Sequence, residues 1–382
     1  MKKIKLIKII IFVSIILIFS FASIFHEVNP YIDAEQRYRA EFPDTNDILT
    51  SMLNKEFIPA YEKYYNDNFY LREKLLNAKT IYDMNVEKTV KVSDVILSED
   101  RTKAFRYRER VFHVNYDEQA QGFERWAEIK EYLDSVGTKL VVVGVPDQSH
   151  VFPEEYPKYA FNDNDRYLEL RKTFFGGLKN LGIDYIDMHD TAYSDKDFYY
   201  TNADHHQNFN LTMEEYKDII NLVSNKYFPM ENVIEKSELM TSDKEFIGSH
   251  NRKLFEKLDE DYRMQYLVPK EDISYTRYDN GKENDTPFFT DTKYYASYMG
   301  GDMPNTVVKT NRPELPNIMV LGDSTSNALE SIVWMNANEF TSIDFRHYED
   351  KDLIEYLEEN PQDLIIVSVI SGNYDSLLSI MK

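Results

Sequence analysis

The chain of 382 residues contains no cysteine. This absence excludes thiol nucleophiles, cysteine-based zinc sites, iron–sulfur clusters and disulfide scaffolds. Basic residues are also scarce, with 44 Lys and Arg against 66 Asp and Glu, and the formal net charge is −22. Because an acidic surface repels phosphate backbones and anionic lipid headgroups, the composition argues against nucleic acid as a partner. Neither G-x-G-x-x-G nor G-x-x-x-x-G-K-[ST] occurs, so no nucleotide cofactor is indicated.

The first 25 residues differ from the rest of the chain. Residues 1–8 carry four lysines and no acid, and residues 9–25 carry no charge. Seventeen uncharged, mostly apolar residues span about 25 Å as a helix, at the short end of a bilayer crossing. The lack of a clean small-x-small cleavage step favours a transmembrane anchor over a cleaved signal peptide, which would leave a secreted protein. Lysines before the segment keep that end in the cytoplasm, so the following chain is expected to be extracytoplasmic at the cell membrane.

The organisation of the remaining chain follows from its patterns. Residues 26–110 are polar, helix-prone and aromatic, which predicts a stalk or an N-terminal helical segment. Residues 111–382 alternate between strand and helix patterns and predict one catalytic domain with a mainly parallel α/β sheet. Residues 228–290 are irregular and charged and indicate an insertion or lid. The predicted strands are residues 139–145, 184–188, 317–321, 342–348 and 363–370, and the predicted helices are residues 120–136, 164–181, 211–227, 326–334 and 351–359.

One helix start carries a specific signal. Thr212 followed by Glu215 fits a capping box, in which each side chain bonds the other residue's backbone N–H. The helix is therefore expected to begin near residue 211.

A serine directly follows one predicted strand. The run Asn-Ile-Met-Val-Leu leads into Gly322, Asp323 and Ser324. Glycine permits a tight turn, and the serine then lies where strand passes into helix, beside backbone N–H groups that can stabilise negative charge. This placement suits a nucleophile, although Gly-Asp-Ser is also common in turns, where the serine would be a helix N-cap. The nucleophile hypothesis requires a base.

Two adjacent histidines can supply that base. Asp204, His205 and His206 lie in a polar segment that precedes a helix and follows a short strand. An aspartate two positions before a histidine can reach imidazole Nδ1 while Nε2 faces the serine, as a Ser-His-Asp triad requires. The spacing therefore assigns Asp204 and His206 to a triad with Ser324. The same run is also a plausible cluster of metal ligands, although no second dense cluster of His and Asp accompanies it.

Two further segments could donate hydrogen bonds to an oxyanion. Gly300 and Gly301 offer backbone N–H groups, and Asn373 follows the last predicted strand. The ligands of parallel α/β sheets bind beyond the carboxyl ends of the strands, so the Asn373 amide is expected near the serine. Each segment taken alone also fits an ordinary turn.

The order of these motifs resembles the DHHW / AlgX–AlgJ group of SGNH-hydrolase-like proteins. The resemblance covers roughly residues 57–378. Unlike ordinary SGNH hydrolases, the Asp/His element here precedes the Gly-Asp-Ser element. The motifs that carry it are Val145-Pro146-Asp147, Asp204-His205-His206, the element from Tyr295 to Asp302, Gly322-Asp323-Ser324 with Ala328, and the run from Asp344 to Tyr348.

This resemblance implies a fold and a set of roles. The fold would be a three-layer SGNH-like, flavodoxin-like α/β sheet with permuted catalytic blocks, preceded by one transmembrane helix. Ser324, His206 and Asp204 would be catalytic, Gly300, Gly301 and Asn373 would form the oxyanion hole, and no metal would be needed. The chain departs from the pattern at Gln207, where the family name expects Trp. Residues expected to support the triad are Asp147, His205, Asp323 and Arg346.

The resemblance also implies an activity and partners. Members include O-acetyltransferases of alginate and of Gram-positive cell-wall polysaccharides, so the expected activity is transfer of an acetyl group to a polysaccharide. The acyl donor would be supplied by a membrane-bound O-acyltransferase. The alternatives are a carbohydrate esterase with the same triad and a non-catalytic polysaccharide-binding scaffold.

The acidity of the exported part bears on the acceptor. Without the four leading lysines, 40 basic residues face 66 acidic ones, a formal charge of −26. A surface of that sign repels polyanions. A neutral or weakly charged polysaccharide is therefore the expected acceptor.

Overall fold

A computed structural model describes residues 2–26, 28–44, 52, 54–107, 114, 116–231 and 233–375. The chain forms two compact units. The N-terminal unit is Met1–Asp94 with Arg252–Lys257, and the larger unit is Val95–Asn251 with Leu258–Lys382. The domain boundary predicted at residue 110 falls outside the described residues.

The N-terminal unit begins with a long apolar helix. Its window Leu6–Ser23 has a mean hydropathy of 2.6 and is long and apolar enough to cross a membrane. Further along, both guanidinium Nη atoms of Arg37 donate to the Asp67 carboxylate at 2.6 and 2.7 Å. These hydrogen bonds lower the pKa of Asp67 to about 2, although burial opposes the shift. The elements are α1 (Lys2–Phe25), β1 (Tyr31–Ile32), β2 (Arg37–Tyr38), α2 (Phe57–Asp67), α3 (Arg72–Tyr82) and β3 (Lys91–Val92).

The larger unit contains the alternating elements. Helix α10 crosses the division between the units at Arg252. In chain order the elements are β4 (Val95–Leu97), β5 (Ala104–Arg106), α4 (Tyr116–Val136), β6 (Lys139–Val145), α5 (Gln148–Val151), α6 (Asn164–Asn180), β7 (Asp184–Asp187), α7 (His189–Ser194), α8 (Lys196–Tyr199), α9 (Phe209–Lys226), β8 (Leu239–Thr241), α10 (Ser249–Lys253), β9 (Gln265–Leu267), β10 (Tyr275–Asp279), β11 (Lys282–Glu283), β12 (Asn305–Thr310), β13 (Ile318–Gly322), α11 (Asn327–Val333), β14 (Glu339–Asp344), α12 (Leu353–Glu359) and β15 (Leu364–Ile370).

Eight strands form the central sheet, in the order β11-β10-β12-β14-β13-β15-β6-β7. The five strands from β14 to β7 are parallel, and β12, β10 and β11 add an antiparallel edge. The predicted mainly parallel sheet is confirmed. If β13, β14, β15, β6 and β7 are numbered 1 to 5, the parallel strands lie in the order 2-1-3-4-5, which is the order of flavodoxin-like sheets. In such sheets ligands bind where the strand order reverses, here beyond the ends of β13 and β15.

Helices cover both faces of the parallel strands. One face carries an apolar cluster that joins β-strand residues such as Val142, Leu321 and Val367 to helices α4, α6 and α12. On the other face, Glu215 of α9 accepts a hydrogen bond from Ser368 of β15. Successive residues of a strand face opposite sides of the sheet, so one strand contributes side chains to both layers of helices. The sheet is thus the middle of three layers.

Three predictions about elements need correction. The strand predicted at 342–348 runs from Glu339 to Asp344. The predicted irregular insertion contains β8 to β11, and two of these strands extend the central sheet. The capping box at Thr212 and Glu215 is wrong, since α9 begins earlier and its N-cap is Asn208. Glu215 was an ambiguous signal because the same side chain is buried against the sheet.

Candidate active site

The turn after β13 presents Ser324. The side chain of Asp323 holds this turn: Oδ1 accepts the Thr325 N–H at 2.9 Å, and Oδ2 accepts the Ile370 N–H at 3.1 Å. Gly322 is needed at the strand end because a Cβ there would lie 2.2 Å from Ser326 Oγ. The turn therefore places a half-buried Ser324 at the edge where β13 and β15 end.

The loop before α9 presents Asp204 and His206. Asp204 Oδ1 accepts the His206 backbone N–H at 2.8 Å, and Oδ2 accepts the Ser249 N–H at 2.6 Å. Asp204 is 1% exposed. Burial opposes ionisation, but the charge of His206 and the hydrogen bonds it donates lower the pKa of the Asp204 carboxyl well below its usual range. Asp204 is thus a buried carboxylate across the neutral pH range.

The three side chains form one hydrogen-bonded chain. His206 Nδ1 lies 2.6 Å from Asp204 Oδ1, and His206 Nε2 lies 3.2 Å from Ser324 Oγ. Because the carboxylate can only accept, Nδ1 carries the proton and Nε2 is left to accept from the serine hydroxyl. The residues that spacing assigned to a triad therefore lie together, with the separation expected of nucleophile, base and orienting acid.

Tyr295 is a neighbour of the triad that the sequence motifs do not identify as a site residue. Its ring stacks on the His206 imidazole with centroids 3.8 Å apart and planes within 1°. Its hydroxyl donates to the Thr325 carbonyl at 2.9 Å, and Gln207 Nε2 donates to the same oxygen at 3.1 Å. Tyr295 and Gln207 thus connect the histidine loop with the serine turn. The signal for Tyr295 was its position at the start of the Tyr-x-x-Tyr-Met-Gly-Gly-Asp element.

His205 lies against His206. Its ring centroid lies 3.7 Å from that of His206, and its Nδ1 lies 2.9 Å from Ser249 Oγ. Burial and the charge of His206 lower the pKa of His205 well below its usual value. Asp204, His205 and His206 could each offer one atom to a metal ion, since these atoms lie within 4.8 Å of one another.

A guanidinium also faces the nucleophile. Arg346 Nη1 lies 3.5 Å from Ser324 Oγ. Arg346 Nε donates to Asp344 at 3.0 Å, and Nη2 donates to Asp302 at 2.9 Å. Asp302 also accepts from the Asn327 amide at 2.9 Å. Burial opposes the charge, but Asp344 and Asp302 raise the pKa of Arg346 above its usual value, so a fixed cation stands beside Ser324.

The three expected oxyanion residues are placed as follows. Gly300 and Gly301 have φ values of 78° and 99°, which favour glycine. The Gly301 N–H donates to the Tyr298 carbonyl at 3.0 Å. Asn373 Nδ2 donates to Asp323 Oδ2 at 2.8 Å, so this amide reaches the serine turn through its aspartate.

Two buried glutamates, Glu215 and Glu330, and the half-buried Glu260 lie near this edge. Burial raises the pKa of Glu215 to about 8, and that of Glu330 and Glu260 to about 7 each. Glu330 accepts from Ser326 Oγ at 2.6 Å and Glu215 from Ser368 Oγ at 2.6 Å. Glu260 accepts the Gly248 N–H at 2.8 Å. Only the tertiary structure identifies Glu215 and Glu260, because each lies in an ordinary charged stretch of sequence, whereas Glu330 is the single charged residue of residues 324–338.

The larger unit contains a second Ser, His and Asp arrangement. His150 Nδ1 lies 2.8 Å from Ser371 Oγ, and His150 Nε2 lies 3.2 Å from Asp163 Oδ1. All three residues are buried. Ser371 Oγ also accepts the backbone N–H of Asp147, one of the residues expected to support the triad.

Comparison with known proteins bears on the fold. No family model matches the chain. No curated protein matches it in sequence. Among solved structures, Bacillus cereus PatB1 with a sulfonyl adduct is similar at a TM-score of 0.62 and 18% identity, over 76% of this chain and 100% of that one. A DHHW family protein from Eubacterium siraeum is similar at a TM-score of 0.57 and 17% identity, over 76% of this chain and 96% of that one. The resemblance that the motifs predict is confirmed at the level of the fold.

Proposed function

We propose that this protein is a serine O-acetyltransferase that acetylates hydroxyl groups of a cell-surface or exported polysaccharide. The observation that carries the proposal is the hydrogen-bonded chain of Asp204, His206 and Ser324, at 2.6 and 3.2 Å. The motif order and the similarity to a DHHW family protein favour this chemistry over that of an unrelated hydrolase.

The first half-reaction forms an acyl-enzyme. Ser324 Oγ attacks the carbonyl carbon of the acetyl donor while its proton passes to His206 Nε2. Asp204 stabilises the resulting imidazolium and keeps its orientation. The tetrahedral intermediate then collapses: the bond to the donor's leaving group breaks, and His206 returns the proton to that group. Acetyl-Ser324 remains.

The second half-reaction transfers the acetyl group. A sugar hydroxyl gives its proton to His206 Nε2 as its oxygen attacks the acyl carbon, and Ser324 Oγ leaves and regains the proton. In each half the oxyanion would be stabilised by the N–H groups of Ser324 and Gly300 and by the positive charge of Arg346. Asn373 retains a second amide hydrogen for this role because it donates only one to Asp323. Gly301 would first have to release the Tyr298 carbonyl.

The location proposed for this reaction is the outer face of a membrane. The apolar window Leu6–Ser23, preceded by lysines, supports a single-pass anchor with the catalytic unit outside the cell. Since acetyl-CoA is cytoplasmic, the donor would come from a membrane-bound O-acyltransferase.

The test uses the full chain purified in detergent, with a chromogenic acetyl ester as donor and a neutral oligosaccharide as acceptor. We expect acetylated sugar together with release of the chromophore, and neither product from Ser324→Ala. A sulfonyl fluoride should label Ser324, as a sulfonyl adduct is present in the PatB1 structure.

Other outcomes separate the competing functions. Chromophore release without acetylated sugar would make the protein an esterase, since water then resolves the acyl-enzyme. Absence of labelling, with unchanged polysaccharide acetylation in cells that carry only Ser324→Ala, would make it a scaffold. Loss of activity with a chelator would restore the metal interpretation of His205 and His206.

A further inference from the structure

The outer end of the apolar helix packs against α2 and the turn that follows it. Ser20 Oγ lies 3.1 Å from Tyr65 OH, and the Tyr70 N–H donates to Ser23 Oγ at 3.0 Å. Because a helix rises 1.5 Å per residue, Ser20 is about 5 Å from the Ser23 end of the apolar window. The segment that carries both tyrosines is therefore level with the outer end of that window. Tyrosine is enriched at this level in membrane proteins, where hydrocarbon meets headgroups.

A cationic cavity lies beside this level. It measures about 170 Å³, and its lining includes Arg39, Arg72, Lys74 and a single carboxylate, that of Glu73. These four charges sum to +2, and to +1 when the Glu35 carboxylate that pairs with Arg72 is counted, whereas the whole chain carries −22. The repulsion of anionic headgroups expected from the composition is thus reversed locally.

The three cations of the cavity differ in how far the protein already engages them. Arg39 is 7% exposed and donates to Glu73 and to the Asn29 carbonyl, so it is occupied by the protein. Arg72 Nη2 pairs with Glu35, but its buried Nη1 donates to no atom in the part of the chain that the structure describes. Lys74 forms no ion pair with any described carboxylate, and its side chain is exposed.

We infer that this cavity binds the phosphate of an anionic lipid headgroup in the outer leaflet. The exposed Lys74 Nζ donates the charge-assisted hydrogen bond that a phosphate oxygen accepts, and the guanidinium of Arg72 adds positive charge at the same cavity. A volume of about 170 Å³ is several times the roughly 30 Å³ that one water occupies in the liquid, enough for a phosphate group. We assign the phosphate to a lipid because the cavity lies at the level where the apolar helix ends. This inference rests on the anchor proposed above and adds a specific lipid contact to it.

The test titrates the full chain in detergent with phosphatidylglycerol and with a glucosyl diacylglycerol of the same acyl chains, and measures bound lipid by native mass spectrometry. We expect phosphatidylglycerol to bind about tenfold more tightly. Lys74→Gln and Arg72→Gln should each reduce this preference about three- to tenfold. Lys88→Gln removes one exposed cation of the same unit without touching the cavity and should leave the preference unchanged.

Further arms separate the remaining explanations. Arg72→Lys keeps the positive charge and should retain part of the preference for phosphatidylglycerol, whereas a variant that unfolds the unit should lose it. Lys74 is exposed, so Lys74→Gln tests the same cavity without disturbing the packing. Equal binding of both lipids, or variants that bind like the parent chain, would overturn the inference. Displacement of the lipid by equimolar inorganic phosphate would assign the cavity to a soluble anion instead. A chain from cells that begins after Phe25 would overturn the anchor as well, whereas an intact chain without phosphate preference overturns this inference alone.

Discussion

The two arrangements of Ser, His and Asp in the larger unit use the same side chains in opposite ways. In one, His206 directs Nδ1 to aspartate and Nε2 to Ser324. In the other, His150 directs Nδ1 to Ser371 and Nε2 to aspartate. Each histidine ring is stacked on a tyrosine with planes within 1°, Tyr295 at 3.8 Å and Tyr167 at 4.1 Å.

The difference lies in the serine. Ser324 is half-buried at the strand edge and has Arg346 beside it. Ser371 is 1% exposed, and its oxygen already accepts the Asp147 N–H. A nucleophile needs access to substrate and a means of stabilising the oxyanion, and Ser371 has no access. The second arrangement therefore serves to hold the turn that carries Asn373, two residues further on.

Exchange of each serine for alanine is expected to give the largest contrast. Ser324→Ala should lower acetyl transfer about 10⁴-fold or more, because the nucleophile is lost, with little change in melting temperature. Ser371→Ala should instead lower the free energy of unfolding by about 1–3 kcal/mol, because His150 and the Asp147 N–H lose a buried partner. Transfer assays and thermal unfolding check both. Equal losses of activity would show that the second arrangement takes part in the reaction.

The next effect concerns Arg346, the cation beside Ser324. Arg346→Gln should lower kcat about 10²-fold with little change in KM, because a charge that stabilises the oxyanion is lost. Arg171→Gln is the matched control, since Arg171 pairs with Asp187 and Asp190 away from Ser324. Steady-state kinetics decide the matter: a rise in KM at constant kcat would mean that Arg346 binds substrate only.

The stacked tyrosines give a smaller contrast. Tyr295→Leu should lower kcat about two- to tenfold, since an aromatic contact of this kind contributes about 0.5–1.5 kcal/mol to the position of His206. Tyr167→Leu, the same change beside His150, should reduce stability while kcat per folded molecule stays constant. The measurement is steady-state kinetics normalised to the folded fraction. Equal losses of kcat in both variants would contradict this prediction.

The smallest effect on activity is expected at Glu215. Its partner Ser368 lies on β15, three residues before Ser371. The Glu215 pKa of about 8 exceeds the ordinary value of 4.5, so the folded state binds the proton more tightly and stability falls as pH rises from about 4.5 to 8. Glu215→Gln mimics the protonated form and should raise stability at pH 8 by about 2–4 kcal/mol.

Glu214→Gln is the control for this pH effect, because Glu214 is adjacent in sequence and its side chain is 38% exposed. Unfolding is measured at pH 5 and pH 8. If Glu215→Gln kept the same fall in stability between the two pH values as the parent chain, the titration would belong to another group.

Sequence patterns predicted the local features well. The strand at Lys139–Val145 is confirmed to the residue, since a continuous β-branched run between turn residues has few other structures open to it. Asp204 and His206 are hydrogen-bonded, a contact that their spacing of two residues makes possible by restricting the geometry of both side chains. The strand that ends at Asp344 was placed several residues late because Phe345 and Tyr348, which follow it in a turn, are as apolar and aromatic as strand residues.

The amino-acid sequence by itself determined the apolar helix, the alternation that gives a parallel sheet, and the candidate nucleophile, base and acid. Only the tertiary structure decided which serine meets which histidine, since His206 and Ser324 are 118 residues apart and His150 and Ser371 are 221 apart. It also decided the placement of Arg346 and the burial of Glu215. Partner choice, exposure and pKa depend on which strands become neighbours, and that follows from packing of the whole sheet rather than from local spacing.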